Sequence, residues 1–165
     1  MVAASTIPSS NDVQQGPLAS SRGRKKALLL FRGMQTIFPI LRYKDARGAI
    51  RSLCAMFGFV EVFSVPESGQ TVRHAQLRLG SNLVMLGSIR PAERMSTPQE
   101  LGAATQALSV YVEDVDRHFR VAQRAGADIT SPVTDTDFGS REYHVLDQEG
   151  HPWTFSSYLP QQILS

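Results

Sequence analysis

Residues 138–158 read FGSREYHVLDQEGHPWTFSSY and hold a polar turn between two strand-like runs. The runs, 141–146 and 153–158, are rich in aromatic and β-branched residues, which suit a half-buried pleated surface. Between them lies Asp147-Gln-Glu-Gly150, in which Gly150 can take positive φ and Asp147 can bond its own backbone. The stretch therefore reads as a hairpin.

Outside it the chain alternates strands and helices in a repeated order. Residues 36–43 are expected as a strand and 46–57 as a helix, with Ala46, Ala49, Ile50, Leu53 and Phe57 at helical spacing. Asp45 stands where a side chain caps the first helical amides, and Gly58 where a left-handed residue ends the helix. Strands at 59–65, 71–79 and 83–89 follow, so the order is β-α-β-β-β. The second half repeats it: a strand at 107–112, a helix capped by Asp114 and ended by Gly126, then strands at 128–134, 141–146 and 153–158. Asp45 and Asp114 are 69 apart, Gly58 and Gly126 are 68 apart, and Gly80 and Gly150 are 70 apart. Three matching offsets indicate internal duplication. Residues 90–106, with Pro91 and Pro98, read as the linker between module one (36–89) and module two (107–159).

Four groups of residues in register carry a family resemblance: Gly139-Ser-Arg141 followed by Asp147-x-x-Gly-His-x-Trp153; Pro39-Ile-Leu-Arg-Tyr-Lys-Asp45 with Ala49, Ile50, Phe57 and Gly58; His74-Ala-Gln-Leu77 with Gly80; and Gly126-Ala127 with Pro132 and Asp135. Together they resemble the PhnB-like branch of the vicinal oxygen chelate superfamily, which also holds glyoxalase I, bleomycin-resistance proteins and extradiol dioxygenases. The resemblance implies an α+β fold in which two βαβββ modules in tandem form a curved mixed sheet around a cavity. It also implies a homodimer, because a second chain often completes that cavity.

Strand alternation assigns faces, since successive side chains project to opposite sides. Leu41, Tyr43, Leu108, Val110, Trp153 and Phe155 are expected against the helices; Phe38, Ile40, Arg42, Ala107, Ser109, Tyr111, Thr154 and Ser156 are expected inward. In the superfamily's metal enzymes, His, Gln or Glu converge from the first and last strand of each module. The corresponding positions here are read as Phe38, Val84, Ala107 and Thr154. A divalent cation needs several hard or borderline donors at about 2 Å, so this set implies neither metal nor cofactor. His74, Gln76, Arg78, Arg141 and His144 are expected as a polar patch on the cavity wall, with Arg141 the group suited to an anionic or carbonyl-bearing ligand. The competing reading of Arg141 is an ion pair to Glu142 or Asp137. His151 reads as turn-stabilising and His118 as a surface residue. The candidate ligand-binding set is thus Phe38, Arg42, His74, Gln76, Tyr111, Arg141, His144 and Ser156.

The chain has 165 residues, 17 bases and 15 acids. Residues 1–33 hold five of the bases (Arg22, Arg24, Lys25, Lys26 and Arg32) and one acid, Asp12, leaving 12 bases and 14 acids for the rest. The basic balance therefore belongs to a Ser-, Ala- and Gly-rich tail that reads as disordered, and the domain carries no footprint for nucleic acid. Met34 is an alternative start. Cys54 is the single cysteine, which excludes an internal disulfide and points to a reducing, cytoplasmic compartment. No run reaches the roughly 18 apolar residues of a membrane span. Walker loops, dinucleotide glycine motifs, paired-cysteine zinc motifs and serine nucleophile elbows are all absent. Three functions remain: a metal-free protein holding a small, partly apolar molecule; a metal-dependent lyase, transferase or dioxygenase of glyoxalase type; and a metal-independent enzyme using Arg141 and a histidine.

Overall fold

A computed structural model describes residues 35–160. The basic tail at 1–33 lies outside the described residues. Strand β1 (Ile40–Tyr43) leads into helix α1 (Ala46–Phe57), and β2 (Val60–Val65), β3 (His74–Leu79) and β4 (Asn82–Ser88) follow. After a helical turn at Pro91–Glu93 and the short helix α2 (Pro98–Leu101) come β5 (Leu108–Tyr111), α3 (Val115–Arg124), β6 (Asp128–Asp135), β7 (Arg141–Leu146) and β8 (Pro152–Ser156). The sheet orders are β1-β4-β3-β2 and β5-β8-β7-β6, the first and last strand of each module pairing in parallel. The tandem βαβββ arrangement is therefore present, and its α+β class with it.

Local chemistry sets the helix limits. The Asp45 carboxylate accepts from the Gly48 amide at 2.9 Å and the Asp114 carboxylate from the Arg117 amide at 2.9 Å, each satisfying an amide that the first helical turn leaves unpaired. Gly58, at φ 75°, returns its amide to the Cys54 carbonyl and ends α1 in the left-handed conformation a side chain would resist. Two expected boundaries shift. Ladder pairing starts only at Ile40, so Phe38 precedes β1; and the expected linker is partly helical, because Thr97 caps α2 with Pro98 at its first turn.

The modules meet through their helix-bearing sides. Leu41, Tyr43, Ile50, Leu53, Phe57, Leu77, Leu86, Tyr143, Val145, Trp153 and Phe155 belong to one buried cluster that spans both sheets. Phe57, at the end of α1, reaches across to Phe155 and Trp153 with ring centroids at 4.8 and 5.7 Å. Each such side chain contributes about 1.5–3 kcal/mol on leaving water, so this junction is where the two halves become one unit. Among the described residues no hydrogen-bonded ladder joins the two sheets. Their opposite faces are turned away from this core.

Candidate functional site

Register defines the open face of module one, because paired residues in neighbouring strands project to the same side. Phe63, Gln76, Met85 and Ile40 form one row across β2, β3, β4 and β1. Val65 opposite His74, and Gly87 opposite Arg42, form the next. The alternate residues Ala75, Leu77, Leu86 and Leu41 are buried beneath the helix. Phe38, Ile40, Phe63 and Val65 each expose 37–43% of their surface, Ile40 on one edge strand of the sheet and Phe63 and Val65 on the other, with Met85 and Gln76 between them. His74 packs at 5.5 Å from the Phe63 ring and stands 3.4 Å from Gln76.

Two charged residues stand on this face: Arg78, in line with His74 and Gln76, is exposed and donates to the Gly80 carbonyl at 3.0 Å, whereas Arg42 is only 8% exposed. The Arg42 Nε is buried without an acceptor. The guanidinium lies over Gly87, where a Cβ would stand 2.7 Å from Nη1, so the glycine is what admits it. Among the described residues Glu93 is the carboxylate facing it, 3.8 Å from Nη2, beyond hydrogen-bond distance. Burial, then the charge of Arg90, pull the Arg42 pKa down, and Glu93 partly opposes them.

Module two presents a more polar face. Ser109, Thr154, His144 and Ser131 form one row, and Tyr111, Ser156 and Glu142 the next. His144 Nδ1 is 2.8 Å from Thr154 Oγ1 and its Nε2 is 3.3 Å from Glu142 Oε1. A neutral ring with its proton on Nε2 would donate to Glu142 and accept from the Thr154 hydroxyl. Ser156 is buried and accepts from the Tyr158 amide at 3.0 Å. Tyr111 is exposed and edges a hollow of about 380 Å³ with Met56, Phe57, His118 and Val121.

Three sequence expectations are corrected. Arg141 shares its parity with Tyr143 and Val145, so it lies on the helix side; it pairs there with Asp116 of α3 at 2.8 Å and with Asp135 at 2.8 Å. Both pairs raise its pKa further, and its partners are neither Glu142 nor Asp137. Val84 is buried opposite Leu77, and Met85 instead occupies the open-face position in the last strand of module one. His118 is not a surface residue: it sits between modules, 2.7 Å from the Tyr143 hydroxyl and 3.3 Å from the Phe57 carbonyl, with its ring 4.3 Å from Phe155. Burial is the main cause that lowers its pKa.

The turn between β7 and β8 does more than close a hairpin. Asp147 Oδ2 accepts from the Tyr43 hydroxyl at 2.6 Å and from Trp153 Nε1 at 3.1 Å, while Oδ1 accepts from the Glu149 and His151 amides. Glu149 accepts from the Lys44 and Asp45 amides at 2.6 and 2.7 Å, and His151 Nε2 lies 2.9 Å from the Arg42 carbonyl. Side chains of one turn thus bind four consecutive residues, Arg42 to Asp45, where β1 ends.

With Val84 replaced by Met85, the residues to which the superfamily's metal ligands correspond are Phe38, Met85, Ala107 and Thr154; register puts Met85 and Thr154 on the open strand faces, and Phe38 and Ala107 just precede β1 and β5. One thioether and one hydroxyl do not make a site for a divalent ion. Among the described residues no three His, Cys, Asp or Glu side chains are grouped to hold one. The donor set does not fit the metal the fold class implies.

Tandem βαβββ modules with a shared helical core and outward sheet faces define a class of paired-module α+β proteins. The sequence profile of the Glyoxalase/Bleomycin resistance protein/Dioxygenase superfamily matches residues 35–155, and the chain belongs to that superfamily. An uncharacterised protein of Mycobacterium tuberculosis is 34% identical over 119 residues, covering 70% of this chain and 70% of its own length. The crystal structure of TioX from Micromonospora sp. ML1 is 34% identical, with a TM-score of 0.61 over 78% of this chain and 99% of TioX. A glyoxalase-related enzyme from Fulvimarina pelagi, at 18% identity and a TM-score of 0.54 over 74% of this chain and 86% of its own, shares the fold.

Proposed function

We propose that the protein is a metal-free small-molecule-binding member of the superfamily, of its PhnB-like branch, acting as a cytoplasmic homodimer. The observation that carries the reading is the exposed apolar face of module one, on which the positions for metal ligands hold Phe38 and Met85. A second copy supplies the wall this face lacks. The hollows one chain forms by itself at its hinge, of about 540 and 450 Å³, are lined by the linker and the 147–150 turn and lie elsewhere. Among the described residues no helix is long and apolar enough to cross a membrane.

The test is a thermal-shift screen of the purified protein against aromatic antibiotics and small carbonyl compounds. A ligand that binds only the native state adds about 2.7 kcal/mol at a hundred times its dissociation constant. A saturable shift that disappears in Phe63→Asp and in Ile40→Asp supports the reading. A shift that survives both substitutions moves the ligand off this face. Sedimentation equilibrium of the same variants tests the dimer, which each buried carboxylate should weaken.

One observation favours a second reading, a metal-independent enzyme. His144 bridges Thr154 and Glu142, an arrangement in which a histidine can take a proton from a hydroxyl while a carboxylate orients the ring. His144→Gln, with turnover as the readout, separates it from simple binding.

A further inference from the structure

We propose that the ligand of this face carries a carboxylate, and that Arg42 receives it. The inference rests on the reading of the module-one face as a small-molecule site. Arg42 is more than nine-tenths buried, yet its Nε has no acceptor. Leaving a buried donor of a charged group unpaired is costly, and a guanidinium is built to give two parallel bonds to one carboxylate. The edge concerned is formed by Nε and Nη2. Glu93 Oε2 is 3.8 Å from Nη2, beyond hydrogen-bond distance, and Glu93 Oε1 is bonded to Arg90 Nη1 at 2.9 Å, so neither oxygen satisfies Nε.

The surroundings choose the charge and the body of the ligand. Arg90 is already committed, its Nη1 to Glu93 and its Nη2 to the Arg73 carbonyl at 2.8 Å. One guanidinium edge is left, which suits a monoanion better than a phosphate needing several donors. Alongside it lie Val65, His74, Ile40 and Met85, so the rest of the molecule is apolar. Gly87 is part of the device. A Cβ there would also meet the Arg73 and Val72 carbonyls at 2.9 and 3.1 Å, so the cradle that admits the guanidinium is backbone and cannot yield like a side chain.

The probes are 1-naphthoate and its uncharged counterpart 1-naphthamide, titrated by calorimetry into the full chain and into Arg42→Met. A charge-assisted pair predicts that wild type prefers naphthoate by about 10- to 100-fold, and that Arg42→Met loses the preference while still binding naphthamide. A direct readout needs no variant: the ¹⁵N–¹H resonance of Arg42 Nε should shift on adding naphthoate and not on adding naphthamide. Equal affinity for both probes overturns the carboxylate assignment and leaves the apolar site standing. Binding of neither overturns the site and this inference together. An Nε resonance that ignores naphthoate but moves with protein concentration assigns the missing acceptor to the second copy, and overturns the inference too.

Discussion

The Tyr43 hydroxyl donates a 2.6 Å hydrogen bond to Asp147 Oδ2, joining the end of the first strand of module one to the hairpin turn of module two, 104 residues later. Both groups are buried, and Trp153 Nε1 shares the same carboxylate oxygen. The bond fixes the modules at the end of β1 from which Arg42 projects, while His151 holds the Arg42 carbonyl. The hinge and the candidate site are thus built on consecutive residues.

Asp147→Ala should therefore be among the most damaging substitutions in the chain. It strands the Tyr43 hydroxyl, the Trp153 indole and two backbone amides, and an unpaired buried polar group costs about 1–3 kcal/mol. Because the four are not additive, a loss of roughly 3–5 kcal/mol is expected in urea unfolding. Tyr43→Phe, which leaves Asp147 its other three donors, should cost about 1–2 kcal/mol. An Asp147→Ala cost below that of Tyr43→Phe would show that the turn holds without its carboxylate.

The same pair sets an alkaline limit. Burial first, then the Asp147 charge and hydrogen bond, raise the Tyr43 pKa well above 10.0, and burial raises that of Tyr143. Above about pH 10 the unfolded chain gives up these protons before the native one does, so the native state binds more protons and stability falls as pH rises. Melting temperature should be insensitive to these groups below pH 10 and decline beyond it. Tyr43→Phe should flatten that decline, and an unchanged slope would assign it to other groups.

His118 predicts the opposite limb. Burial lowers its pKa from 6.5, against the hydrogen bond to the Phe57 carbonyl. The unfolded chain then takes up the proton first, so the contribution is full above about pH 6.5 and is lost as pH falls through the lower native value. An NMR titration of the His118 ring should place its midpoint below 6.5, and His118→Gln should reduce the loss of stability between neutral pH and pH 5. A midpoint at or above 6.5 would contradict the buried placement.

Periodicity and caps were enough to read the modules, because α1 and the β7–β8 hairpin carry complete local signals: Asp45 and Gly58 bracket one, and Gly150 closes the other. Face assignment succeeded where a strand alternates cleanly, as at Leu41, Arg42 and Tyr43 with Trp153, Thr154 and Phe155. It fails at Val84, because the last strands of the two modules correspond at Met85 and Thr154, an offset of 69 that matches Asp45 and Asp114, whereas Val84 lies one residue out of step and faces the helix. Arg141 shares the odd positions of β7 with the buried Tyr143 and Val145, so alternation alone separates it from His144; what has no local signal is its partner Asp116, on a helix 25 residues earlier. The links from Asp147 and His151 to β1 span more than a hundred residues and have no local signature. The motif that carries them, Asp-x-x-Gly-His-x-Trp, is legible as a turn and as a mark of family resemblance, but not as the clasp on β1.

The metal prediction follows from the replacement of Val84 by Met85 in the set of metal-ligand positions. Phe38, Met85, Ala107 and Thr154 offer a divalent ion no imidazole and no carboxylate, and His144, the nearest such group in register with Thr154, is engaged by Thr154 and Glu142. Metal-stripped protein titrated with Ni, Mn, Fe(II), Zn or Co under reducing conditions should show no saturable rise in melting temperature. The assay has the reach to decide this, since a site at a hundredfold excess over its dissociation constant adds about 2.7 kcal/mol. A saturable rise with one of these ions that vanishes in His144→Gln would mean that His144 leaves Thr154 to bind metal, and would turn the search toward lyase and dioxygenase substrates. The expected flat response, with binding of an apolar carboxylate intact in the presence of a chelator, leaves recognition to the module-one face and Arg42.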